Sequence, residues 1–230
     1  NYDFGHVFST GGGGIASLGC VCNNSLKAQG VTGSPNPVGD PYDIDYVAHE
    51  MGHQFGGNHT FNSVTGSCSG NRSSSSAYEP GSATTIMGYA GICGSDDIML
   101  HSDDYYHTRS LESMTGNGVM ACATNVASNN GLPLLSPIAA TYIIPYRTSF
   151  ELTAAGTDPD NDVLTYCWEE YDRGGSGNAW DDVTTVAPIL RSFAPTTTPT
   201  RVFPALNYLL QNIESYKGER LPDNARIVRF

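Results

Sequence analysis

Four residues between positions 49 and 59 carry the chemistry most readily read from this chain: His49, Glu50, His53 and His59. On a helix, side chains four apart share a face, so His49 and His53 can present ring nitrogens to one ion. For zinc the expected nitrogen–metal distance is about 2.0–2.1 Å. Glu50 is rotated off that face by about a quarter turn. Its carboxylate is then aimed at a water on the metal rather than at the metal, where it can take a proton and pass it to a leaving amine. A third ligand at His59 cannot come from the same straight helix. Gly56 supplies the sharp turn, because glycine tolerates a left-handed backbone. The set reads as a zinc site with a general base attached.

The elements that must position these residues follow from the flanking pattern. Asp43 is a good N-cap for a helix over Ile44 to Phe55, which Gly56-Gly57 stops. Upstream, Tyr2 to Ser9 reads as a strand, Gly11 to Gly14 as a glycine turn and Ile15 to Leu18 as a short strand, with Ala28 to Thr32 as another candidate. A second helix is expected from about Asp103 to Met114, ended by Gly116, with the pairs Asp96-Asp97 and Asp103-Asp104 as its capping charges. His6 reads as a packed strand histidine. His101 and His107 lack ligand-like spacing to the main motif and read as structural or exposed.

After Asn129-Asn130-Gly131 the pattern changes. Thr148 to Ala154 alternates, with Phe150, Leu152 and Ala154 on one face. Val163 to Glu169 places Leu164, Tyr166 and Trp168 on one face. The polar turn between them carries Asp158, Asp160 and Asp162. That alternating acidic spacing suits Ca2+, but the glycine and distal Glu of a calcium loop are missing, so a solvated turn is the preferred reading. A Pro/Thr-rich stretch runs from Ala194 to Pro204, Ala205 to Ile213 suits a short helix, and Ala225 to Phe230 a strand. Strand, turn and strand around a core Trp predict an antiparallel β-sandwich, of which the chain holds only a part.

Composition bounds the function classes. The net charge of −12 over 230 residues argues against a nucleic-acid or polybasic membrane partner, since both need clustered Lys and Arg. No apolar run approaches the length of a membrane span. The six cysteines form no Cys-x-x-Cys pair, which favours disulfides in an oxidising, extracellular compartment over a thiolate metal site. The chain begins Asn1-Tyr2-Asp3, so either a targeting segment has been removed or the chain is a piece of a longer one.

The segment from His49 through Gly56 to His59 matches the metzincin signature His-Glu-x-x-His-x-x-Gly-x-x-His at every specified position. Metzincins also carry a downstream Met-turn whose methionine forms an apolar floor beneath the metal, and Thr85-Ile86-Met87-Gly88-Tyr89 resembles it, with Met87 as the floor. Tyr2 to Phe8 followed by Gly14 to Leu18 is similar to the adamalysin (reprolysin) pattern of a strand and an antiparallel edge strand. The resemblance, closest to bacterial reprolysin-like metallopeptidases, covers residues 2 to about 122. It implies that Ile15, Ala16, Ser17 and Leu18 bind extended peptide by β-addition. It leaves two roles open for Tyr89: zinc or oxyanion partner, or an aromatic wall of the primed-side pocket. It suggests disulfides between Cys68 and Cys93, and between Cys122 and either Cys20 or Cys22, with Cys167 unmated. Two features depart from the family pattern: Thr60 stands where adamalysins carry Asp, and the strands and helices that open such domains are missing.

The fold class expected is therefore α+β: a metzincin-type core over 1–126, truncated at its N-terminus, and an incomplete all-β immunoglobulin-like accessory domain over 132–230. The expected function is that of a secreted zinc endopeptidase acting on extended protein or peptide substrates, with Glu50 as base. A zinc-binding pseudoenzyme would be expected to lose Glu50. An adhesive module would need an exposed aromatic platform, for which only Trp180 is free.

Overall fold

A computed structural model describes residues 2–116, 121–124, 126–183, 186–213 and 216–230. The first half builds a three-stranded sheet from β1 (Val7–Ser9), β2 (Gly13–Ala16) and β3 (Gly30–Gly33), in the order β1-β3-β2. β1 runs parallel to the central β3 and β2 antiparallel to it, with Ile15 opposite Val31, so β2 is an edge strand. The strand expected from Tyr2 pairs only from Val7 onward. The strand expected at Ile15–Leu18 starts two residues earlier.

One helical run packs on this sheet, in three consecutive segments: α1 (Asp40–Tyr42), a π-helical stretch (Asp43–Ala48) and α2 (His49–Gln54). Asp43 is inside it rather than capping it. Pro41 explains the earlier start, because its fixed φ suits a first helical turn whose N–H has no partner anyway. The π-helical stretch directly precedes His49, a placement common next to functional sites. Helix and edge strand approach closely at Gly14, where a Cβ would fall 2.5 Å from Glu50 Oε1. Glu50 is thus wedged between α2 and the strand that borders the site.

The next helix, α3 (Thr108–Thr115), begins later than expected and ends at Gly116. Its N-cap is His107, whose Nδ1 accepts from Arg109 N at 3.0 Å. The acidic pairs do not cap it: Asp97 accepts from Cys93 N, Asp96 from Ser63 Oγ, and Asp103 pairs with Arg191 at 3.1 Å. Ile86, Met87 and Met114 are buried beneath the helical run together with Ile44, Ala48, Phe55 and Tyr106.

In the second half, β5 (Phe150–Thr153) pairs antiparallel with β7 (Thr200–Phe203), and β4 (Leu134–Leu135) with β6 (Gly156–Thr157); α4 (Leu206–Leu210) follows. Fold class is therefore mixed helix and strand with small sheets. Phe150, Leu152 and Trp168 pack on a core of Val183, Ile189, Leu190 and Phe203. The alternation read over 163–169 holds, since Leu164, Tyr166 and Trp168 are shielded while their neighbours Val163, Thr165 and Cys167 are exposed. No ladder forms there beyond one bridge, Tyr166 to Thr196. The partner chain bends at Thr197, directly after the bridge, and the pairing does not continue. Likewise 225–230 forms no ladder: Arg229 O accepts from Tyr171 N, but Arg229 N turns to the Asp172 carboxylate.

The two halves are docked by named bonds. Tyr105 Oη meets Ser192 Oγ at 2.7 Å, Thr108 N donates to Glu169 Oε2 at 2.7 Å, and Lys217 Nζ donates to the carbonyls of Ser95 and Asp97, both at 2.8 Å.

Candidate metal centre

His49 and His53 lie one turn apart on α2, with ring centroids 4.8 Å apart. Past α2 the chain reverses at Gly56, whose φ of 98° is open to glycine and strained for other residues. The reversal brings His59 back, its ring 4.7 Å from His53 and 5.2 Å from His49. One ligand atom from each of the three histidines lies within 4.8 Å of the other two, and no other such group occurs among the described residues.

Each ring is oriented by a backbone carbonyl. His49 Nδ1 donates to Ile86 O at 2.7 Å, His53 Nδ1 to Gly57 O at 2.7 Å, and His59 Nδ1 to Asn71 O at 2.6 Å. A carbonyl only accepts, so every Nδ1 carries the proton and every Nε2 of a neutral ring is a bare lone pair. The Nε2 atoms of His53 and His59 face each other at 3.1 Å. A hydrogen bond between them would need a second proton on one ring, which the surroundings disfavour. Burial, then the neighbouring His53 and His59, holds His49 well below the usual imidazole range. Burial lowers His53, and burial followed by His53 lowers His59 to about 4. Three converging lone pairs on neutral imidazoles fit a divalent cation, zinc being the usual partner of such a donor set.

Glu50 borders the cluster. It is buried, and its Oε2 has no hydrogen-bond partner. Burial raises its carboxyl to about 7. An orphaned carboxylate oxygen beside a metal site is a ready proton acceptor. The ring of Tyr89 lies 4.6 Å from His59 and 5.5 Å from His49. Burial, then the nearby Glu50 charge, raises its phenol, which keeps the O–H as a donor.

Met87 is fully buried under α2: a Cβ on Gly52 would fall 2.5 Å from its Sδ. Gly88 N closes the turn on Thr85 O at 2.8 Å, and Met87 O accepts from Thr60 N, next to the third histidine. The turn is anchored by a residue that sequence reasoning missed. Buried Glu79 accepts from Thr84 N and Thr85 N through Oε1, and from the Thr85 hydroxyl through Oε2 at 2.6 Å. No local spacing singles out Glu79, since its partners are backbone N–H groups and hydroxyls of a loop.

Ile15 and Leu18 on and after the edge strand are exposed, while Ala16 and Ser17 are partly covered. His6 joins the helix to the sheet, its Nδ1 2.7 Å from Gln54 Oε1 and its Nε2 2.8 Å from Thr32 Oγ1. His101 pairs with Asp45 at 2.7 Å, away from the cluster. In the acidic turn, Asp158 Oδ1 accepts from Asp160 N and Asp162 N, and Asp160 Oδ2 from Gly131 N. Those carboxylates serve the turn, and the only cluster of three such groups among the described residues is the histidine one. Trp180 is partly covered and lies near Lys217, whose Nζ is 5.9 Å from the ring.

Two disulfides bind the region, Cys68–Cys93 and Cys22–Cys122, leaving Cys20 and Cys167 free. Of the two mates open to Cys122, Cys22 is the one used, while Cys20 is buried against Gln54. No helix among the described residues is long and apolar enough to cross a membrane.

The family described as Metallo-peptidase family M12B Reprolysin-like matches residues 1–60. That stretch holds the edge strand, Glu50 and all three histidines, and stops short of Met87 and Tyr89. No curated protein and no solved structure matches the chain.

Proposed function

We propose that this chain is the catalytic part of a secreted zinc endopeptidase that cleaves proteins and peptides bound in extended conformation. The observation that carries the reading is the arrangement of atoms: three Nε2 lone pairs converge beside the unpartnered Oε2 of Glu50, under the free edge of β2. His49, His53 and His59 would hold the ion, which when bound supplies Lewis acidity toward a water and toward the peptide carbonyl.

The remaining roles belong to the chain. Ser17 N donates inward to Gln29 O, so by antiparallel alternation Gly14, Ala16 and Leu18 turn their backbone groups to the open edge. An extended peptide can pair there, aligned along α2 with its scissile bond over the histidines. Glu50 takes the proton of the attacking water at Oε2 and returns it to the departing amine nitrogen. Tyr89, protonated and against His59, donates its O–H to the oxygen where negative charge develops. The disulfides and the reprolysin-like match support secretion and a peptide substrate.

Zinc content and peptide turnover with and without a chelator test the proposal. One zinc per chain and chelator-sensitive turnover are expected. Turnover that survives complete removal of the metal would refute it.

A further inference from the structure

The carbonyls that orient the three histidines are not equally secured. Gly57 lies at the end of the ligands' own helix, and Ile86 is packed into the buried turn. Asn71, which orients His59, sits on an exposed loop with no ladder around it. Upstream, Asn71 N donates to Cys68 O, and its Nδ2 donates to Ser67 O, next to the Cys68–Cys93 disulfide. Downstream the anchor is the adjacent residue. Arg72 donates through Nε and Nη2 to Asn62 Oδ1 at 3.2 and 2.8 Å, and through Nη2 to Gly174 O at 2.9 Å and Gly175 O at 3.1 Å. Two of its three acceptors therefore lie in the second half, about a hundred residues away.

The same second-half segment laces both ends of the loop. Gly174 N donates to Ala77 O at 2.8 Å, and Asn178 N to Asn62 O at 3.3 Å. The fit is tight enough to require glycine: a Cβ on Gly174 would fall 2.0 Å from Asn62 Oδ1, the acceptor that Arg72 shares. Among the described residues, no hydrogen bond from this segment reaches the loops around His49 and His53.

We infer that Arg72, clamped by the Gly174–Gly175 carbonyls, is a positioning residue for the third metal ligand, and that the second half holds the metal through it without supplying a ligand. The inference rests on the proposed metal centre. A guanidinium is suited to the task because its planar fork reaches several acceptors at once in fixed geometry, which a lysine ammonium cannot copy. Orienting partners of metal ligands typically contribute about 10–100-fold in affinity. Acting one residue removed, Arg72 belongs near the lower end, about tenfold.

The test is zinc release from the full chain to an excess of chelator, with the visible spectrum of the Co2+-loaded protein as a report on ligand geometry. Arg72→Ala and Arg72→Lys should both release zinc roughly tenfold faster than wild type. Gly174→Ala, which acts from the far side of the contact, should also speed release and shift the Co2+ spectrum. Lys217→Ala removes two bonds between the halves that do not touch the His59 loop, and should match wild type. Wild-type release from both Arg72→Lys and Gly174→Ala would overturn the inference and leave the metal centre standing. Equal acceleration by Lys217→Ala would overturn it too, because the effect would then be general docking. A wild-type chain that binds no zinc would overturn the proposed function itself.

Discussion

Gly52 and Met87 make a quantitative test of how α2 is seated on the buried turn. Gly52 lies between the two helical histidines, and a Cβ there would fall 2.5 Å from Met87 Sδ, 3.1 Å from Tyr106 Cε1 and 3.2 Å from Met114 Cε. Met87 is fully buried, so its sulfur has no open space into which to retreat. Gly52→Ala sets two effects against each other. Alanine favours the helix by about 1 kcal/mol. Overpacking a filled core costs about 1–3 kcal/mol. With all three contacts close and the site enclosed, the collision wins, and a net loss of about 1 kcal/mol is expected, or roughly 2–4 °C in Tm for a chain of this size. Met87→Ala alone opens a cavity and costs about 2–5 kcal/mol. In that background the closest collision is gone and the cavity gives Tyr106 and Met114 room to yield, so adding Gly52→Ala should stabilise by about 1 kcal/mol. The same substitution therefore changes sign with its background, a coupling of about 2 kcal/mol. Denaturant unfolding of the four proteins, all stripped of metal, measures it. Additive effects, within about 0.5 kcal/mol, would mean that Met87 does not support the helix at Gly52.

Further outcomes follow from the site and the core. Glu50→Ala should retain zinc by elemental analysis while losing about 10²–10⁴-fold in peptide turnover; near-normal turnover would remove Glu50 from the mechanism. His59→Ala should purify with substoichiometric zinc, and a full complement would sink the three-histidine assignment. Replacing Cys68 and Cys93 together by serine should cost about 3–4 kcal/mol, given their separation of 25 residues; unchanged unfolding would contradict a formed bridge. Arg201→Met should destabilise by about 3–5 kcal/mol, because it strands the buried Glu219 carboxylate now bonded at 2.6 Å; an unaltered Tm would deny that pair its role.

What could be read in advance was whatever local spacing encodes. The histidine cluster was legible because i,i+4 histidines and a glycine turn are one short stretch of chain, and the structure brings those three rings together. The Cys68–Cys93 link was legible through family resemblance, whereas the choice of Cys22 over Cys20 depended on which sulfur the fold buries. The acceptors of the three Nδ1 protons were not legible. Ile86, Gly57 and Asn71 act through their carbonyls, and every residue has one. Helix onset at Asp40 is masked in the sequence by Asp43, which offers a capping side chain, whereas Pro41 sets the first turn. In the second half, side-chain alternation correctly marked the shielded face of 163–169. It could not reveal that the partner chain would bend at Thr197, just past the Tyr166–Thr196 bridge.

The three clustered histidines all lie in the first half, but the contacts around them do not. The orienting carbonyls come from the reversal just past the ligand helix, from the buried turn further along the chain, and from a loop fastened in part to residues 174–178. Coupling of this kind is reciprocal. If the Arg72 clamp strengthens metal binding about tenfold, then the bound metal must strengthen the docking of the second half by the same factor, about 1.4 kcal/mol. The three lone pairs repel one another without a cation, and that repulsion falls hardest on His59, whose ring alone is anchored on an exposed loop. Metal loss should therefore loosen the loop at Asn71 first, and through Arg72 the contact at Gly174, before it disturbs α2. Metal binding and the docking of the second half are in this way two readings of one equilibrium.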